Sequence, residues 1–219
     1  MTRRAIIGGV VALTMLALGT LVTLATLSGT GKTSSDAGPL RLSSGPYRGS
    51  EPPQGISMPR FSLRDDAGRV LDSRDLRGKV VLLTFLDSHC TDACPIIAAQ
   101  IAQTLSRLTR AERGQVEAVA ISSDPVTDTP AAVHAFLAKQ HALGKLRYLG
   151  AGQPLRRLEP VWRAFKILAS AETGQHTLHS APLRIYDRKE FWVSTLHAGA
   201  DLTPTNLAHD VRTALARSR

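Results

Sequence analysis

The sequence predicts an α/β domain, a mixed β-sheet with helices on its faces. Three observations carry that prediction. The first is the continuous apolar, β-prone run Val80-Val81-Leu82-Leu83-Thr84-Phe85, of the kind that is buried on both faces of a sheet. The second is the alternation of such runs, further along, with stretches of helical period. The third is the pair Cys90 and Cys94, the only cysteines, four residues apart where the strand run gives way to helical periodicity. The chain has 219 residues, one ordinary domain plus what its ends add, and 43% of them are hydrophobic, enough for a core.

In order along the domain, Arg60-Phe61-Ser62-Leu63 and Val70-Leu71-Asp72 flank Asp65-Asp66-Ala67-Gly68, which reads as a hairpin turn. Leu76-Arg77-Gly78-Lys79 turns into the strand at 80–86, and a helix is expected over 95–108. Val116-Glu117-Ala118-Val119-Ala120-Ile121 is the next strand, ending in Ser122-Ser123-Asp124-Pro125. Thr129 as N-cap and Pro130 at the first helical position open a helix to Lys139. Leu146-Arg147-Tyr148-Leu149 is a short strand, and 154–165 is helical. Residues 183–187 and 191–195 form a hairpin around Asp187-Arg188-Lys189-Glu190, and Thr203-Pro204 caps a final helix to 216. A dithiol at a strand–helix junction of such a sheet makes the fold expected here thioredoxin-like.

The N-terminus bears on location. Arg3 and Arg4 precede an uncharged stretch, apolar from Ala5 to Leu27. About 20 apolar residues span a bilayer, and positive charge on the short side places residues 1–4 in the cytoplasm. The reading is a single-pass anchor at 5–27 in the cytoplasmic membrane, with the rest on the extracytoplasmic face; a cleaved signal peptide is the rival. No cysteine follows the segment to carry a lipid. Residues 28–54, rich in Gly, Ser and Pro, read as a linker, and 55–219 as the folded domain. The net charge of +9 suits a surface beside an anionic membrane. Lys and Arg are scattered in ones and twos without interleaved aromatics, so nucleic acid is not expected as a partner.

The dithiol admits three readings. A structural disulfide closing so short a loop adds little stability, since the gain grows with loop length. A redox pair is the second, because helix-terminal N–H groups and the helix dipole favour thiolate. Cys90 and Cys94, at i and i+4, would be neighbours across one helical turn. The third is a soft metal ion such as Cu(I), with an imidazole completing the shell. Of the seven histidines, His134, His141 and His209 fall in helices and read as surface residues, and His197 lies beyond the last strand. His89 adjoins Cys90, though sequence neighbours often point apart. His176 and His179 lie in a polar loop before the strand at 183, and spacing alone does not choose between them.

Over most of the soluble region the chain resembles the Sco/SenC family of copper-handling proteins. The resemblance rests on Leu76-Arg77-Gly78-Lys79-Val80-Val81-Leu82-Leu83-Thr84-Phe85 and on His89-Cys90-Thr91-Asp92-Ala93-Cys94-Pro95. It extends to Ser123-Asp124-Pro125 with Asp128-Thr129-Pro130, and to Leu158-Glu159-Pro160-Val161-Trp162. It implies a membrane-tethered thioredoxin-like protein that binds copper, as Cu(I) or Cu(II). Such proteins deliver copper to, or reduce the cysteines of, the copper-A site of cytochrome c oxidase. The partners implied are the oxidase subunit bearing that site and a thioredoxin-like reductant or an upstream copper donor. The family's third ligand is a histidine in a His-Ser step ahead of a strand; His179-Ser180-Ala181-Pro182-Leu183 matches that frame and His176 does not. The resemblance thus implies Cys90, Cys94 and His179 as metal ligands, with Cys90 and Cys94 as the redox pair if the thiols are used catalytically.

Three positions depart from the family pattern: Leu178 where an Asp often precedes the histidine, Asp87 two before His89, and Pro182 before the strand. A cis Pro182 facing the dithiol would favour disulfide exchange. The reading is a chaperone rather than an enzyme, and the alternative is an extracytoplasmic thiol–disulfide oxidoreductase. A thiol peroxidase fits less well, because Asp87 stands where the Pro of its Pro-x-x-x-Thr-x-x-Cys motif belongs.

Overall fold

The computed structural model of the protein describes residues 45–169 and 181–217. The span expected at 5–27, most of the linker, and His176 and His179 lie outside the described residues. Among the described residues no helix is long and apolar enough to cross a membrane.

The elements follow the sequence closely. Strands β1 (Ser62–Arg64) and β2 (Val70–Asp72) form a small hairpin, followed by a 3-10 turn, Ser73–Leu76. Then come β3 (Val80–Leu86), α1 (Ala93–Arg107), the single turn α2 (Arg110–Arg113) and β4 (Val116–Ser122). Helix α3 (Pro130–Lys139), β5 (Arg147–Leu149) and α4 (Leu155–Phe165) follow. Strands β6 (Leu183–Tyr186) and β7 (Trp192–Leu196) and helix α5 (Pro204–Arg217) complete the domain. Thr129 caps α3 as expected, its hydroxyl accepting from Ala132 N at 3.1 Å.

The main sheet has the order β5-β4-β3-β6-β7. The first three strands are parallel and the last two antiparallel, so the sheet is mixed as expected. Central strand β3 is buried along its whole length, because its alternate side chains enter two different cores. Val80, Leu82 and Leu86 join Ile97 and Ile101 of α1, Val133 of α3 and Val211 of α5. Val81, Leu83 and Phe85 join Trp162 and Phe165 of α4 and Leu63 and Leu71 of the hairpin. Three helices thus cover one face, and α4 with the hairpin covers the other.

Both sheet edges are shielded, which removes a template for pairing with another chain. Asp65 bridges Leu149 on edge strand β5, and Ser50 and Ser57 bridge β7 at Thr195 and beside it at Phe191. The folded domain therefore starts before the 55 expected from composition. Tyr47 is buried in the core, and Arg48 N and Gly49 N donate to the buried Asp210 of α5 at 2.7 and 3.0 Å. Gly49 is glycine because the chain passes so close to β7 there: a Cβ would lie 2.4 Å from the Thr195 carbonyl oxygen.

Candidate metal centre

The parallel strands β3 and β4 end side by side, and the loops leaving them build the site. Leu86 O, at the end of β3, accepts Ser123 N at 2.8 Å, which ties the two exits together. The Asp87 side chain is fully buried and accepts His89 N at 2.8 Å, while Cys90 N donates to Asp87 O at 3.2 Å. This closed turn carries Cys90 into the core on the α1 side of the sheet. Cys94 follows in the first turn of α1. Asp87, which departs from the family pattern, is thus the residue that shapes the loop. Asp92 precedes α1, is exposed and makes no side-chain cap.

Cys90 is 4% exposed, Cys94 is wholly buried, and the two are not joined by a disulfide. Their thiols are hydrogen-bonded. That contact and burial push the Cys94 thiol far above its ordinary range, against a hydrogen bond to the Asp87 backbone that pulls it down. For Cys94 this corrects the expectation of a readily ionised thiol. A helix N-terminus does lie there, but the neighbouring sulfur and desolvation push the thiol the other way. The dipole operates within an environment that sequence position does not reveal. Two adjacent sulfurs sheltered from water are a donor set that suits a soft ion, which must displace the protons.

A second layer lies beneath the loop. Asp128, buried between β4 and α3, accepts Ser88 N at 2.8 Å and Ser88 Oγ at 2.5 Å. Its other oxygen accepts Ser122 Oγ at 2.5 Å and Tyr148 Oη at 2.6 Å. Burial pushes the Asp128 carboxyl up and these donors pull it down. Sequence reading noted Asp128 only as part of a motif; its role needed the Ser88 contact across 40 residues. The signal that could have found it is an acidic residue at the exit of the strand beside the dithiol strand.

Most of the sequence-predicted site residues have a place in the structure. Cys90 and Cys94 are brought together, and His179 lies outside the described residues. His134 and His141 are exposed as expected. His209 is partnered by Asp210 at 3.0 Å, and His197 lies 3.9 Å from Asp201. No peptide bond among the described residues is cis, so the cis Pro182 that would have favoured disulfide exchange is overturned. The backbone enters β6 there in ordinary trans geometry.

A mixed sheet with a buried dithiol at a strand–helix junction defines a thioredoxin-like thiol protein. Residues 50–216 match the family model of SCO1/SenC, and the chain belongs to that family. The Bos taurus "Protein SCO2 homolog, mitochondrial" is 35% identical over 113 residues, 51% of this chain and 41% of that protein. The chain therefore spans about two-fifths of the length of that relative. Among solved structures, ScoI of Bradyrhizobium japonicum with copper bound is 26% identical, with a TM-score of 0.60. That match covers 73% of this chain and 99% of ScoI. BsSco, described as a member of the Sco family of cytochrome c oxidase assembly proteins with a disulfide switch, superposes at a TM-score of 0.62. It covers 76% of this chain and 97% of BsSco, and at 19% identity it shows the fold.

Proposed function

We propose that this protein is a membrane-anchored copper chaperone in which Cys90, Cys94 and His179 hold one copper ion as cargo. In this reading residues 5–27 are the anchor and the domain stands on the extracytoplasmic face. The acceptor is the cytochrome c oxidase subunit bearing the copper-A site. The observation that carries the proposal is the pairing of the two buried, reduced thiols at the exit of β3. The family match supports it, as do ScoI, a relative solved with copper bound, and the His-Ser step at 179.

Transfer proceeds by ligand exchange. An incoming acceptor thiolate bonds to copper, one Cu–S bond to this protein breaks, and the released thiolate takes up a proton. Oxidation of Cys90 and Cys94 to a disulfide surrenders two electrons and two protons and removes both thiolate donors. The same pair can therefore reduce an acceptor disulfide, but only when it carries no copper. Titration of the reduced full-length chain with Cu(I) against a competing chelator tests the reading. Tight one-to-one binding is expected, falling at least tenfold in His179→Ala. Affinity no better than that of a free dithiol would leave the pair as an extracytoplasmic redox couple, the reductase alternative.

A further inference from the structure

We propose that a basic groove at the end of the domain opposite the dithiol docks on an anionic phospholipid surface and so holds the dithiol away from the bilayer. This rests on the anchor reading above, which keeps the domain within reach of a membrane. Cys90 and Cys94 follow the end of β3. Helices α1 and α3 run back from that end of the sheet. Their last turns carry Arg107 and Lys139 to the end where β3, β4 and β5 begin. There Val80 N of β3 donates to Gln115 O, just ahead of β4, at 2.9 Å, and Lys145 stands just ahead of β5.

Arg107, Lys139, His141 and Lys145 line one groove of about 350 Å³. Gln103 and Gln140 line it too, with amides able to donate, and no carboxylate does. Arg107, Lys139 and His141 are exposed and Lys145 is half-buried. None of the four side chains joins an ion pair among the described residues. Glu117, in the groove beside it, is taken up by Lys79 at 3.0 Å, and Glu112 by Arg212 at 2.7 Å. Arg107 and Lys139 complement the carbonyl ends of their helices. That account does not reach His141 and Lys145, which lie beyond the helix ends. His141 stands at φ 55°, where glycine is the usual residue after a helix. A concave set of cations, with Arg110 and Arg113 exposed on α2 at the same end, fits lipid phosphodiesters. The tether permits it. Tyr47, at the start of the described domain, lies within charge range of Asp187 after β6 and Arg217 at the end of α5. Both belong to the strand-start end, because β6 is antiparallel to β3 and Arg212 of α5 binds Glu112 of α2. Residues 28–44 add up to about 60 Å of extended reach. Strand β3 alone rises about 20 Å, so the dithiol stands well clear of the docked end.

Acetylation of the full-length chain tests the surface. The chain is reconstituted in vesicles of phosphatidylcholine alone, or of equal parts phosphatidylcholine and phosphatidylglycerol. Mass spectrometry follows Lys139 and Lys145. Lys166 is the reference at the dithiol end, where the preceding Phe165 packs on Phe85 of β3. Each basic group at an anionic surface multiplies the docked population about fivefold, so labelling at Lys139 and Lys145 should slow about threefold or more in the anionic vesicles, with Lys166 unchanged. The protection should vanish at about 1 M salt and weaken about twofold or more in Arg107→Gln. Equal labelling in both vesicles overturns the lipid surface and leaves the groove to an acidic protein. Protection that extends equally to Lys166 overturns the orientation. Flotation separates this proposal from the anchor reading. A chain that does not float with phosphatidylcholine alone loses its anchor, yet capture by the anionic vesicles with both lysines protected upholds the surface. Capture by neither sinks both.

Discussion

At the scale of single residues the site is a balance between burial and charge. The sulfur beside it and desolvation push the Cys94 thiol well up, so in the proposed site copper competes with a proton there. The sign follows directly: a thiol whose pKa lies above the working pH binds metal more tightly as protons become scarce. Cu(I) affinity should climb by up to about tenfold per pH unit for each proton displaced, and competition titrations between pH 6 and 8 would measure it. A flat profile would mean the thiols are already ionised. The dithiol itself was legible from spacing, because no other cysteines compete for the role. Its protonation was not, because burial at Cys94 depends on helices far along the chain. Asp87 looked like a departure from a pattern, yet it closes the turn that presents Cys90.

At the scale of elements, periodicity and capping residues located every strand and every long helix of the described region. The strand at 80–86 and the helix opening at Pro130 lie where apolar runs and Thr129-Pro130 put them. The 3-10 turn at Ser73–Leu76 and the single turn Arg110–Arg113 escaped notice, since four residues carry no period. Both are set by capping boxes, Asp72 with Asp75 and Thr109 with Glu112. Between elements, Asp210 of α5 is the main clasp. It accepts Arg48 N, Gly49 N and Ser194 Oγ, the last at 2.7 Å, joining the N-terminal arm, β7 and α5. Asp210→Ala leaves those buried donors unmet and should cost about 2–4 kcal/mol in denaturant unfolding. A loss below about 0.5 kcal/mol would show that water replaces the carboxylate without penalty.

At the scale of the whole molecule, the sheet closes its edges with its own chain. Composition marked 28–54 as linker because Gly, Ser and Pro dominate it. Residues 47–50 nonetheless fold onto β7 and α5, through long-range backbone pairing that composition does not encode. A fragment beginning at residue 55 should therefore melt at least 5 °C below one beginning at 45 and self-associate through the uncovered β7 edge. Calorimetry and light scattering would check this, and equal melting of two monomeric fragments would refute it. The fold class was readable because strand and helix periods alternate cleanly. The assembly around the site was not, because Asp128 reaches Ser88 only once β3 and β4 lie side by side.

The central claim is that two thiolates and the His179 imidazole share one copper ion. X-ray absorption of the Cu(I)-loaded full-length chain tests it most directly. The account predicts two sulfur neighbours and one nitrogen per copper, with the nitrogen lost in His179→Ala and both sulfurs retained. A shell of sulfur alone in the native protein, or a nitrogen that survives in the variant, would contradict it.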